Sequence, residues 1–123
     1  MSKTPVTIVI VDDDDNVRHA LGNLLRSADF DVRAFASAEA FLDSPDGEQV
    51  GCLIADINLP GMSGVALLET LAASGRVIPS VLITARDDGA TLTLARRAGS
   101  VPHLRKPFSD EELFDALDRV LLR

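Results

Sequence analysis

Short runs of aliphatic residues alternate with amphipathic segments along the whole chain, and this alternation limits the possible folds more than any other feature. Five runs predict β-strands, at residues 6–11, 31–35, 52–55, 80–83 and 101–104. The first, third and fourth runs are continuously apolar, which is typical of strands in a sheet that is covered on both faces. Strands that alternate with helices in this way predict a parallel sheet with helices on both sides.

The segments between the strands have apolar residues at helical spacing. The first helix has an apolar stripe that starts at Val17, and Asp14 and Asp15 are placed to cap its positively polarised end. Ser109 and Glu112 have the spacing of a capping box and predict the start of the fifth helix. The middle three helices are predicted at residues 38–42, 64–73 and 88–98.

Five strands and five helices in strict alternation leave few topologies, because crossovers between parallel strands are right-handed and short. We therefore expect a doubly wound α/β sheet with the flavodoxin-like order 2-1-3-4-5, formed by residues 1–123 as a single domain. In that order strands one and three are neighbours. The ligand crevice of such a sheet lies beyond the carboxyl ends of these two strands.

Charge and composition exclude several classes of function. The net charge of −7 opposes direct binding of nucleic acid, which requires basic residues to neutralise phosphates. No apolar stretch has the length of a membrane-spanning helix, so no membrane association is expected. The one cysteine, Cys52, cannot form an internal disulfide, which favours a cytoplasmic location.

Acidic residues follow two of the strands that should be neighbours. Asp12 and Asp13 come directly after the first strand, and Asp56 comes directly after the third. Thr84 ends the fourth strand and Lys106 follows the fifth, so these side chains should meet at one edge of the sheet. Clustered carboxylates raise one another's pKa unless a cation keeps them ionised. Mg²⁺ suits such a cluster because it prefers oxygen ligands.

Other interpretations of the acidic run fit less well. A solvated loop with two helix caps explains Asp14 and Asp15, but not the arrival of Asp56 from another strand. An EF-hand loop that begins at Asp12 would require glycine where Val17 stands. A haloacid-dehalogenase-type phosphatase would require an acid/base aspartate where Asn58 stands. Flavin binding lacks a phosphate loop after the first strand, and the chain has no Trp or Tyr to stack on the ring.

Four motifs, "VDD", "ADINLPGMSG", "ITA" and "LRKPF", together resemble the receiver domain of two-component response regulators, a CheY-like superfamily. The resemblance covers the whole chain in the family's order and spacing. It implies that Asp56 accepts a phosphoryl group from a phosphohistidine, without turnover of an external substrate. The stretch "SAEAFL" is similar to receivers of the FixJ type.

The resemblance also implies roles for the other residues at this edge. Asp13, Asp56 and the backbone carbonyl of Asn58 would bind Mg²⁺, and Asp12 would act mostly through a metal-bound water. Lys106 and Thr84 would contact the phosphoryl oxygens. Arg105 competes with Lys106 for this role, and since neighbouring strand residues point to opposite faces only one of the two can reach the site. The resemblance to the family's "KPF" motif selects Lys106.

Three further positions are implied by the family pattern. His103 stands where the family has an aromatic switch residue, so it is either a switch or a half-exposed strand residue, and as a switch it would make signalling sensitive to pH. Asn58 and Arg86 flank the phosphoryl site and should tune the lifetime of the phosphoryl group. The peptide bond between Lys106 and Pro107 is a candidate for the cis form.

Three functions stay open at this point. The first is a phosphorylatable receiver that switches the face built by helix four, strand five and helix five, including one excised from a LuxR-type transcription factor. The second is a shuttle in a phosphorelay, and the third is an interaction module that is never phosphorylated. The expected partners are a sensor histidine kinase or a histidine phosphotransfer protein, with a homodimer on phosphorylation.

Overall fold

The computed structural model describes residues 5–44 and 50–121, which form one parallel sheet flanked by helices. The strands are β1 (Thr7–Val11), β2 (Asp31–Phe35), β3 (Cys52–Asp56), β4 (Ser80–Thr84) and β5 (His103–Arg105). The helices are α1 (Asp15–Ser27), α2 (Ala38–Leu42), α3 (Gly64–Ala73), α4 (Gly89–Ala98) and α5 (Asp110–Leu121). The strand order is β2-β1-β3-β4-β5 and every pairing is parallel, which confirms the predicted fold class.

Alternate residues of the central strands face two separate hydrophobic layers. Ile8 and Ile10 of β1 belong to the layer covered by α1 and α5, where Leu25 and Leu117 are fully buried. Val9 and Val11 face the layer covered by α2, α3 and α4. This explains why β1 has no polar residue between its ends, since both of its faces are covered.

Three predicted helix ends are confirmed by hydrogen bonds or by a backbone angle. Asp14 caps α1 by accepting from the backbone N–H groups of Asn16 and Val17. At the start of α5, the Ser109 N–H donates to Glu112 Oε1 at 3.0 Å and the Glu112 N–H donates to Ser109 Oγ at 3.1 Å, which is the reciprocal pattern of a capping box. Gly75, just beyond α3, has the positive φ of 84° that glycine adopts without strain.

The predicted bounds of the fifth strand, residues 101–104, were wrong by two residues at its start. The strand is His103–Arg105, because Pro102 has no N–H with which to join the ladder. Its carbonyl still accepts a hydrogen bond from the Leu82 N–H at 2.9 Å. The first strand begins at Thr7 rather than Val6, and α4 begins at Gly89 with Asp88 as its cap.

Candidate functional site

The acidic site lies where β1 and β3 end side by side. In the register of these strands Val11 pairs with Ala55, so Asp12 and Asp56 occupy equivalent positions at the same edge of the sheet. One carboxylate oxygen each from Asp12, Asp13 and Asp56 lie within 4.8 Å of one another. The predicted convergence of these three carboxylates is confirmed.

Lys106 reaches this cluster from the far side of β4. Its Nζ lies 3.0 Å from Asp12 Oδ2 and 3.0 Å from Asp56 Oδ2, so a single ammonium group joins both carboxylates. Arg105 points the other way and pairs with Asp87 at 2.8 Å on the surface. Lys106 rather than Arg105 therefore lies at the carboxylate cluster, while its contact with phosphoryl oxygens stays a prediction. The predicted cis form of the Lys106-Pro107 peptide bond is confirmed.

The backbone fixes the second oxygen of each buried carboxylate. Asp12 Oδ1 accepts from the Asp14 N–H at 2.9 Å, and Asp56 Oδ1 accepts from the Asn58 N–H at 2.8 Å. Each carboxylate is thus held between a backbone donor and the Lys106 ammonium group. Such a site is preorganised, since no side chain must be recruited to orient the carboxylates.

Burial and charge act in opposite directions on the ionisable groups. Burial raises the pKa of Asp12, and the hydrogen bonds from the Asp14 backbone and from Lys106 offset this only in part. Burial alone would lower the pKa of Lys106, but its hydrogen bonds to Asp56 and Asp12 and their negative charges outweigh burial and raise it. Lys106 is therefore firmly cationic, while ionised Asp12 is held at an energetic cost.

The start of α3 packs directly on the backbone of Asp56. A Cβ atom added to Gly64 would lie 2.4 Å from the backbone oxygen of Asp56, so a larger residue there would displace the strand end. Sequence reasoning placed Gly64 only at a helix start and missed this contact. Close approach between segments that are distant in sequence leaves no local signal beyond the glycine itself.

Polar contacts extend from the site to α4. The Thr84 hydroxyl donates to Asn58 Oδ1 at 2.7 Å, and Asn58 Nδ2 donates to Thr91 Oγ1 at 2.9 Å. Sequence reasoning missed Thr91, which is a threonine in a helical pattern and becomes notable only because it is buried. For Asn58, the sequence predicted a metal-binding backbone carbonyl and a role in tuning the lifetime of the phosphoryl group. It did not indicate that the side-chain amide connects Thr84 to Thr91.

The two remaining predicted positions lie outside the carboxylate cluster. His103 is exposed at the start of β5, which agrees better with a solvent-facing strand residue than with a packed one. Arg86 is exposed, and its backbone N–H donates to Thr84 Oγ1 at 3.0 Å. Their proposed roles in switching and tuning stay predictions.

The donor set fits Mg²⁺. All three clustered side chains offer oxygen, and three carboxylates face one ammonium group, so the site has negative charge left to balance. Asp13 is exposed, which leaves room for the waters that Mg²⁺ usually keeps.

Among the described residues, no helix has the length and apolar character needed to cross a membrane.

Comparisons with known proteins identify the family to which the sequence is similar. A family model described as "Response regulator receiver domain" matches residues 8–118. The transcriptional regulatory protein FixJ of Rhizobium meliloti (strain 1021) is 39% identical over 116 residues, which are 94% of this chain and 57% of that protein. The response regulator protein TodT of Pseudomonas putida is 38% identical over 121 residues, which are 98% of this chain and 53% of that protein.

Solved structures give the same result. The crystal structure of FixJ-N has a TM-score of 0.83 and 37% sequence identity, with 98% of this chain and 97% of that chain covered. The chain spans about half the length of the curated relatives it matches.

Proposed function

The chain belongs to the response regulator receiver domain family of two-component systems, and from this membership we propose that Asp56 accepts a phosphoryl group from a phosphohistidine. One observation supports the proposal above all others. Asp56 lies within 4.8 Å of two further carboxylates and shares an ammonium group with one of them. A solvated acidic loop would not have the lysine that follows β5 at 3.0 Å from two buried carboxylates.

In the proposed transfer, an oxygen of the Asp56 carboxylate forms a bond to phosphorus while the bond between phosphorus and the imidazole nitrogen breaks. The electron pair of that bond stays on the imidazole, and Asp56 becomes an acyl phosphate. Lys106 balances charge on the phosphoryl oxygens, and the Thr84 hydroxyl donates to one of them. Positioning and charge neutralisation account for most of the catalysis of phosphoryl transfer, and this site is built to supply both.

Mg²⁺ is the expected cofactor. Asp13 and Asp56 would bind it together with the backbone carbonyl of Asn58, and Asp12 would act mostly through a metal-bound water. When bound, the ion would neutralise charge on the transferring phosphoryl group. Asn58 and Arg86 would tune the rate at which water removes the phosphoryl group.

The proposed role is a switch rather than a multiple-turnover enzyme, since the only reactions are transfer to Asp56 and hydrolysis there. The phosphorylated domain would change the face formed by α4, β5 and α5, on which His103 lies exposed, and so control a downstream partner or a homodimer. The proposed donor is a sensor histidine kinase or a histidine phosphotransfer protein. The buried free thiol of Cys52 supports a cytoplasmic location.

The second candidate is a shuttle receiver, which would pass the phosphoryl group on to a histidine. The similar protein FixJ is named a transcriptional regulatory protein, and this supports control of a downstream response over shuttling. We therefore place the switch role first.

Labelling with a small phosphodonor tests the proposal. Radiolabelled acetyl phosphate and Mg²⁺ should label the wild-type protein, and chelation of Mg²⁺ or the Asp56→Asn substitution should abolish the label. Asp118→Asn, which changes an exposed carboxylate of α5, is the matched control and should label like the wild type. Equal labelling of Asp56→Asn and the wild type would refute Asp56 as the acceptor.

A further inference from the structure

A chain of hydrogen bonds leads from the candidate phosphorylation site into α4. It starts at the Thr84 hydroxyl, which donates to Asn58 Oδ1 at 2.7 Å, and continues from Asn58 Nδ2 to Thr91 Oγ1 at 2.9 Å. Three separate elements are joined in this way, namely the end of β4, the loop after β3 and the first turn of α4.

The chain ends on a charged acceptor. The Thr91 N–H donates to Asp88 Oδ1 at 2.8 Å, and the backbone and side-chain hydrogen bonds of Thr91 hold the pKa of Asp88 below its usual range. A carboxylate can only accept hydrogen bonds, so it takes the Thr91 hydroxyl proton. Thr91 Oγ1 must then accept from Asn58 Nδ2, which in turn leaves Asn58 Oδ1 to accept from Thr84.

Burial makes this chain important for α4. In α4 the fully buried position is occupied by a polar residue, Thr91, which is 2% exposed. The neighbouring Leu92 is 49% exposed. In α1, α3 and α5 the buried residues are mostly aliphatic. A buried polar group that loses its partner is costly, so these hydrogen bonds help to hold the first turn of α4. The later turns pack through the partly buried Leu94, Ala95 and Ala98.

Phosphorylation would bring a competing acceptor to Thr84. The Thr84 hydroxyl has one hydrogen, and it can be donated in full either to Asn58 or to a phosphoryl oxygen on Asp56. We propose that Thr91 is a positioning residue of the switch, which holds the Thr84 hydroxyl on Asn58 in the unphosphorylated protein and releases the first turn of α4 when that hydroxyl turns to the phosphoryl group. This inference rests on the proposed function.

The test compares four substitutions on α4. Thr91→Val keeps the side-chain shape and removes the hydroxyl, while Thr91→Ser keeps the hydroxyl. Thr93→Val is the matched control, because the Thr93 hydroxyl lies on the exposed face of α4 and, within the part of the chain that the structure describes, donates to the Gly89 carbonyl at 2.9 Å. Thr91→Ala also removes the hydroxyl but puts no methyl group in its place beside Asn58. It replaces Thr91→Val in the test if the valine variant does not fold. Two readouts are followed, namely the initial rate of labelling by acetyl phosphate and amide exchange at Leu92 in the unphosphorylated protein.

Thr91→Val and Thr91→Ala should each raise the labelling rate and the Leu92 exchange rate about fivefold, the effect of one lost hydrogen bond. Thr91→Ser and Thr93→Val should match the wild type in both readouts. If Thr91→Val, folded by circular dichroism, matches Thr93→Val while Asp56 is labelled normally, the inference is wrong and the proposed function stands. If the wild type takes no label, the proposed function fails and the inference fails with it.

Discussion

Strand β3 contains two regions with opposite effects on stability. Its first four residues, 52–55, are fully buried apolar side chains, whereas its last residue, Asp56, is a buried carboxylate beside Asp12. Burial of each large aliphatic side chain contributes about 1.5–3 kcal/mol to folding. Burial of charge contributes little, or opposes folding, because lost hydration offsets the attraction between opposite charges.

The difference teaches why the candidate site needs the core beneath it. Three carboxylates face one ammonium group at Lys106, and one of the three, Asp12, has a raised pKa because it is buried. The paired central strands β1 and β3 hold these groups together against their repulsion. If this is correct, truncation in the core and neutralisation at the edge must change the free energy of unfolding in opposite directions.

The largest expected effect is in the core half of β3. Leu53→Ala should lower the free energy of unfolding by about 2–5 kcal/mol, because Leu53 is fully buried and the cavity would not collapse. Urea unfolding followed by circular dichroism measures the change. Leu92→Ala is the control on an exposed leucine, and a change of more than about 0.5 kcal/mol there would contradict the assignment of stability to the buried layers.

Bound Mg²⁺ should make the carboxylate site at the edge of the sheet contribute favourably to the free energy of unfolding. At an Mg²⁺ concentration of about 100 times its Kd, binding should raise the free energy of unfolding by about 2.7 kcal/mol, since only the folded protein brings the carboxylates together. The measurement is thermal unfolding at increasing Mg²⁺. Asp13→Asn should weaken this response and Asp118→Asn should leave it unchanged. An equal response in both variants would place the ion elsewhere.

Neutralisation of one buried carboxylate should stabilise the protein without metal. Asp12→Asn removes a charge that burial disfavours, and its side-chain oxygen can still accept from the Asp14 N–H. It loses the Lys106 hydrogen bond on the other oxygen, so the gain is the part of the cost of burial that this hydrogen bond does not offset. We expect a gain on the order of 1 kcal/mol, the usual scale of a single substitution. Urea unfolding in the presence of a chelator gives the comparison, with Asp118→Asn as control. A loss of stability in Asp12→Asn would mean that its pair with Lys106 outweighs the cost of burial.

The smallest effect is the pH dependence of that gain. Burial raises the pKa of Asp12, so the folded protein keeps this proton to higher pH than the unfolded chain does. As the pH rises above the ordinary carboxyl pKa of about 4, the unfolded chain releases the proton first and wild-type stability falls relative to Asp12→Asn. The difference in free energy of unfolding between Asp12→Asn and the wild type should grow until the pH passes the pKa of Asp12 in the folded protein, and it should then stay constant. A difference that shrinks with rising pH would show that the folded pKa is depressed instead.

Much of the fold could be predicted because its signals are local. Continuous apolar runs, helical spacing and caps such as Ser109 identified all ten elements in order. The start of the fifth strand was missed because an apolar pattern does not reveal where the ladder begins, and Pro102 cannot donate to it. The candidate site was predictable in the same way, since parallel strands bring their carboxyl ends to one edge.

The sequence by itself determined the strand order and which polar residues lie at the carboxyl ends of the strands, because the period of apolar residues and the handedness of crossovers leave almost one arrangement. The strand ends themselves were predicted only approximately, since β3 extends to Asp56 and β5 to Arg105. Only the tertiary structure decided which polar atoms meet. It placed the Lys106 ammonium between two carboxylates, and it joined Thr84 to Thr91 through the amide of Asn58. Such contacts depend on side-chain directions and on distances between segments far apart in the chain, and neither is encoded in local periodicity.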